Sequence, residues 1–377
     1  MLSLAAYRLG NLTYSGIGKG IGDIVNKSSG GDGYPYTVSS AQVKSLQSGS
    51  SDLVVLYDTG VRVLGSSAKE ISDLQHNYSS PMMFTFGSRL LVADSFGTKF
   101  RVQTPSKLSY EMDFPFEILT ADIAKNGYVV IASRTDAGSS MLTVLDGKRR
   151  EVYKWRCAKE QIVCVDISDD GKYIVCGVVG AENGDVYSDV YLFDIRYEDA
   201  VRTVKFEGTS VVKVEMLKGK NFLVVGDNLV TFVNGKGDRK DVDVSLNSVS
   251  RCCVSENNIT ALLLSKYGSA YSKILKVYNA SGKEISSVDI ECSVKSMSIY
   301  GKHIALLSEG KLLSYNLYGK QIGEKTIDND AVSCCIGSNG IYVLHSNSIN
   351  KYSITGRNTK TEKTTTDNSE NEKSDNG

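Results

Sequence analysis

Short apolar strands alternate along most of the chain with turns of Gly, Asn, Asp and Ser, and no amphipathic helix breaks the pattern. The alternation has a compound form. An apolar strand leads through a Gly/Asn/Asp turn into a second strand that is apolar throughout. A looser loop, an alternating strand, a Gly/Ser turn and a last alternating strand follow. The first hairpin reads in ILTADIAKNGYVVIAS (118–133), IVCVDISDDGKYIVCGV (162–178) and VVKVEMLKGKNFLVVG (211–226). It returns in VSRCCVSENNITALLL (249–264), VKSMSIYGKHIALLS (294–308) and VSCCIGSNGIYVLHS (332–346). The second hairpin reads in LTVLDGKRREVYKW, YLFDIRYEDAVRTVKF, LKVYNASGKEISSVDI and LLSYNLYGKQIGEKTI.

Units beginning at Val43, Met82, Ile118, Ile162, Val211, Val249, Val294 and Val332 recur at a mean spacing of roughly 41 residues, within the range of propeller blades. A lone four-stranded sheet has two faces to cover and two edges to protect. Stacking such sheets around an axis solves both problems. The second strand is apolar throughout because neighbouring blades cover both of its faces, and the last strand alternates because its rim is wet. The pattern therefore predicts an all-β chain forming a single β-propeller of four-stranded antiparallel blades. Eight blades are expected, or seven if one irregular N-terminal unit is not a blade. The last unit runs out after three strands, while YPYTV (34–38) is a strand left over at the start. It is expected to complete the last blade and close the ring. The expected organisation is a Gly/Ser-rich linker over 1–33, the propeller over 34–356 and a disordered polar tail over 357–377, where no large apolar residue occurs.

Composition narrows the function classes. The 43 basic and 43 acidic residues cancel, so no global field draws the chain to nucleic acid or to an anionic surface. The expected partner is a protein or an envelope glycan, with the chain itself a monomer. Tyrosine is abundant, at 21 against 10 Phe and one Trp, which suits half-buried sheet faces where the ring packs and the hydroxyl stays wet. The eight cysteines form no CxxC and no zinc spacing with histidine. Most lie inside apolar strand runs and read as small buried hydrophobes. No apolar run is long enough to span a bilayer.

Each chemical motif has a plainer reading. DISDDGKY (166–173) begins like a calcium loop at Asp166, Ser168, Asp170 and Gly171, but the twelfth position is Gly177 rather than a bidentate Glu. It reads as a polar hairpin turn, as AKNG and GSNG do in the same slot. GIGKGIG (16–22) lacks GK[ST] and follows no strand, so it reads as linker rather than phosphate loop. His76, His303 and His345 have no nucleophile motif beside them. The basic run KRREVYKWRCAK (148–159) reads as a solvated outer strand, with Tyr153 and Trp155 on one face and Lys154 and Arg156 on the other. No catalytic residue, metal ligand or cofactor is predicted.

What remains is loop asymmetry. Three second-to-third strand connections are long, at 134–140, 179–189 and 265–273, and they carry Tyr187, Tyr267 and Tyr271. Asp94 lies on a shorter equivalent. These four residues mark the expected binding face, since tyrosine-bearing loops on a rigid scaffold suit recognition.

The segments QHNYSSPMM (75–83), ISDDGKYIVCG (167–177) and YLFDIR (191–196) resemble an uncharacterised propeller family of clostridial-type Gram-positive bacteria, itself distantly similar to WD40-like and PQQ-type propellers. The resemblance covers nearly the whole folded body. It implies a protein with a short cytoplasmic start, one transmembrane helix and an extracytoplasmic propeller. This chain departs from that pattern by lacking the helix, so the membrane tether is expected only from kinship. The expected function is a non-enzymatic binding or scaffold module for protein or cell-envelope ligands outside a membrane. The alternatives are a glycan-acting hydrolase or lyase on the loop-rich face, and a cytoplasmic scaffold similar to WD-repeat proteins.

Overall fold

A computed structural model describes residues 33–49, 52–135, 138–244, 247–266, 269 and 271–355, with only the backbone at Asn247. The described residues form eight four-stranded antiparallel sheets, the eight-bladed propeller that the repeat predicts, with a single 3₁₀ turn at Ser40–Gln42. Blades 1 to 7 take their strands in chain order from 43–75, 81–113, 117–157, 161–207, 211–242, 247–291 and 294–326. Blade 8 joins the strands at Ser333–Gly337, Gly340–Leu344 and Ser348–Tyr352 to Tyr36–Thr37 as its outer strand. The closing pairs are Tyr36 with Ile349 and Thr37 with Ser348, extended by Val38 N–H to the Asn347 carbonyl (3.0 Å). The chain thus begins and ends its ring in one sheet.

The apolar interior is divided among the gaps between blades. Eight buried clusters fall one to each interface, and successive residues of a second strand go to different ones. Leu53, Val55 and Tyr57 pack toward blade 8, whereas Val54 and Leu56 pack toward blade 2. Because strand side chains alternate in direction, a strand covered on both faces has to be apolar at every position. Outer strands keep one wet face, as in Lys107–Asp113, where five of seven residues are exposed.

The inner strands carry a feature that the repeat did not announce. In blades 1, 3, 4, 5, 6 and 7 the register slips by one residue near the start of the strand, between Val43/Ser45, Ile118/Thr120, Ile162/Cys164, Val211/Lys213, Val249/Arg251 and Val294/Ser296. Each bulge adds local twist and re-aims the side chains that follow it toward the axis. It also turns Val163 and Val212 outward, where they are 38% and 60% exposed despite lying in apolar runs.

Candidate functional site

Interblade connections and second-to-third strand turns gather on one face, tied together by side chains. Asp94 Oδ1 accepts the Ser80 amide (2.7 Å), and Asp227 Oδ1 accepts the Ser210 amide (3.1 Å). Asp94 therefore braces the face rather than offering an unengaged carboxylate. The segment 179–189 is not a loop: the strands Tyr173–Glu182 and Asp185–Asp194 run through it and turn at Asn183–Gly184, both at positive φ. An Asn-Gly pair supplies the left-handed conformation that a two-residue hairpin needs, so pairing continues to the tip. These strands have ten residues each, against seven in the third strand of blade 6.

The blade 4 hairpin therefore stands proud of the face. Near its tip Val186 is 41% exposed, and Tyr187 is fixed by donation from its hydroxyl to Glu160 Oε1 (2.8 Å), with Lys205 Nζ 5.1 Å from its ring centre. Tyr271, at the base of the corresponding hairpin in blade 6, is 64% exposed. Tyr187 and Tyr271 thus reach the same face by different routes, while Tyr267 lies outside the described residues.

The channel along the axis is lined by the inner strands, whose unpaired edges point into it. Side chains of one blade answer backbone groups of the next. Asp122 Oδ2 accepts the Ile167 amide (3.1 Å), Asp166 Oδ2 accepts the Met216 amide (2.5 Å), and Ser298 Oγ accepts the Ile336 amide (3.1 Å). Gln47 Nε2 donates to the Met83 carbonyl (2.8 Å), and Arg251 Nη2 to the Lys295 carbonyl (2.9 Å). These contacts satisfy edges that a sheet would otherwise leave open.

Two of these carboxyls also meet each other. Enclosure in the channel pushes both Asp122 and Asp166 upward. Asp166 rises further through the charge of Asp122, their mutual hydrogen bond and the charge of Glu215. Burial and mutual repulsion thus hold the pair toward its protonated form. Glu215 is in turn paired with Lys213 (2.7 Å). A two-carboxylate glycosidase keeps its groups apart with the sugar between them. Asp122 and Asp166 instead accept the Ile167 and Met216 amides and so hold strand edges, which gives them a structural role. Asp166 has thus left the turn for the channel, and Asp170 stays in the turn with Ser168 (2.9 Å) and Lys172 (3.0 Å), so the DISDDGKY spacing serves a hairpin.

The eight cysteines are free thiols, buried or half-buried. Burial pushes Cys164, Cys252, Cys334 and Cys335 up to about 12, which keeps them protonated and unreactive. Among the described residues one group has the spacing of metal ligands, Asp328, Asp330 and buried His345, with ligand atoms within 4.8 Å of one another. Within it His345 Nδ1 meets Asp330 Oδ1 at 2.7 Å, and Asp330 Oδ2 accepts the Ser346 amide at 3.1 Å. The sequence signal for this latch was faint, because its members are 15 residues apart and belong to no motif.

A family model described as a family of unknown function (DUF5711) matches residues 34–354. No curated protein matches the chain in sequence. Solved structures share its fold at low identity. The C-terminal WD40 domain of Sif2 aligns with TM-score 0.60 and 12% identity over 84% of this chain and 97% of its own. A eukaryotic initiation factor gives 0.56 and 11%, over 85% and 88%. BamB from Moraxella catarrhalis gives 0.50 and 12%, over 85% and 100%. Identities this low speak for the propeller alone. No helix among the described residues is long and apolar enough to cross a membrane.

Proposed function

We propose that this chain, which belongs to the DUF5711 family of unknown function, is a non-catalytic docking module for a protein or cell-envelope ligand, working outside the cytoplasmic membrane. The observation that carries the reading is the projecting hairpin of blade 4. Its tip is held by continuous strand pairing and by the bond from Tyr187 to Glu160, yet it presents Val186 to solvent. A rigid ribbon offering apolar and aromatic surface loses little conformational freedom when a partner covers it. The extracytoplasmic setting is supported by the family resemblance of the sequence.

The test is a photo-crosslinking amino acid placed at Val186 in the native cell, with Lys236 on the opposite face as control. The reading expects one dominant adduct from position 186, recovered with the envelope fraction and absent from position 236. The same adducts from both positions, or none from 186, would reject the face. An adduct confined to the cytosol would reject the location and favour the cytoplasmic scaffold.

A further inference from the structure

On the face opposite the projecting hairpin, a cavity of about 450 Å³ opens between blades 2 and 3. Three cationic side chains line it, Arg89, Lys148 and Arg149, and no carboxylate does. None of the three has an ion-pair partner among the described residues. Asp146, in the same turn, is fully engaged: Oδ1 accepts the Lys148 and Arg150 amides (2.8 and 2.9 Å), and Oδ2 holds the Arg150 guanidinium (2.6 Å). Arg150 is thereby neutralised, and its two neighbours are left to the cavity.

Arg149 is the more telling of them. It sits at φ +67, the left-handed region that side chains with a Cβ avoid. The equivalent turns of blades 5, 6 and 7 place Gly237, Gly282 and Gly319 there, each donating its amide three residues back as Arg149 does to Asp146. The equivalent turn of blade 1 holds Ala68 there at φ +60, so blade 3 is distinguished by putting a guanidinium at this position, with the group 5.8 Å from the centre of the Tyr110 ring. A long cationic side chain held in a strained turn and aimed at a neighbouring blade is a candidate for function.

The rest of the cavity agrees. The Tyr110 hydroxyl is buried and has no hydrogen-bond partner among the described residues. Burial pushes it up to about 12 against the opposing pull of Arg149 and Arg89, so it remains a neutral donor. Arg89 is steadied by donating from Nε to the Lys125 carbonyl (3.1 Å), and its Cζ lies against Gly127, where a Cβ would come within 3.0 Å.

We propose that this cleft binds a phosphoryl group, carried either by a small molecule of sugar-phosphate size or by a phospholipid headgroup. Two guanidinium forks and an ammonium match the charge and the several acceptor oxygens of a phosphoryl dianion. The volume is that of a small-ligand site rather than of a bare ion.

The full chain is titrated with glycerol phosphate by calorimetry, and floated with phosphatidylglycerol vesicles against phosphatidylcholine vesicles. Saturable binding to at least one anionic probe is expected, weakened tenfold or more in Arg149→Gly and severalfold in Lys148→Gln. Arg149→Gly installs the residue that three sister turns carry, so its melting temperature should not fall. Binding of glycerol phosphate assigns the small-molecule source, and binding of anionic vesicles alone assigns the headgroup. No binding of either probe, or binding equal in wild type and both variants, overturns the proposal.

Discussion

Replacing Asp166 probes the ring of inner strands at its most heavily used carboxyl. Asp166→Ala leaves the buried Met216 amide without its acceptor and Asp122 without its partner. An orphaned buried donor costs about 1–3 kcal/mol and a lost bond to a charged group about 1.5–3, so together roughly 3–5 kcal/mol. With an unfolding entropy near 2.1 cal/mol/K per residue and roughly 320 ordered residues, that lowers Tm by about 4–8 °C. Asp166→Asn imitates the protonated acid: its amide can donate to Asp122 and its oxygen can accept Met216. Its Tm should stay within about 2 °C of wild type at neutral pH.

The pH dependence separates the two states of the pair. Both carboxyls are pushed above the ordinary carboxylate range on folding, first through burial. A raised acid stabilises the fold fully below the unfolded value and loses that contribution as pH climbs toward the folded value. Wild-type stability minus that of Asp166→Asn should therefore decline as pH rises above the ordinary carboxylate range, as read by thermal melts of the two proteins in parallel. A difference that rises with pH, or an Asp166→Ala protein that melts with wild type, would refute the upward shift of the pair and the edge contact.

Other substitutions grade the remaining contacts. Gly282→Ala drives a Cβ to 2.7 Å from the Phe232 ring as well as straining the turn, whereas at Gly237 the nearest atom is 3.8 Å away. Thermal melts should show the first losing about 2–4 kcal/mol and the second only about 1. Ser188→Ala leaves the buried Val211 amide, now 2.9 Å from Ser188 Oγ, without an acceptor, and should cost about 1–3 kcal/mol in the same assay. Thiol titration at about pH 8 should leave Cys164, Cys176, Cys334 and Cys335 unlabelled in the native protein and label them all in denaturant.

Strand order, blade phase and ring closure were legible because burial on both faces leaves an unambiguous mark, such as LVVLY at 53–57, and because YPYTV had no other sheet to join. The bulges left no such mark. Lys44, Leu119, Val163, Val212, Ser250 and Lys295 occupy them without a glycine, so Val163 and Val212 look like core in the one-dimensional pattern. At the candidate site, Tyr187 and Tyr271 were readable as residues of long connections. The hairpin continuing through 179–189 was hidden because GAENGDV looks like loop until its strands pair. The basic run from Lys148 reads as one stripe in sequence, yet the turn at Asp146 neutralises Arg150 and turns Lys148 and Arg149 toward another blade. A contact between turns of different blades has no period to betray it.

Blade 8 also sets a timetable for the ribosome. Tyr36 is made near the beginning of the chain and its partner Ile349 near the end. At about 5–20 residues per second, roughly 15–60 s separate their synthesis. Throughout that interval Tyr34–Val38 is an unmatched strand, and the flank of blade 1 that Val38 and Tyr342 will cover lies bare. The nascent chain therefore has to keep its first strand from pairing with a neighbour on the same message, and the ring is sealed only after the last strand emerges.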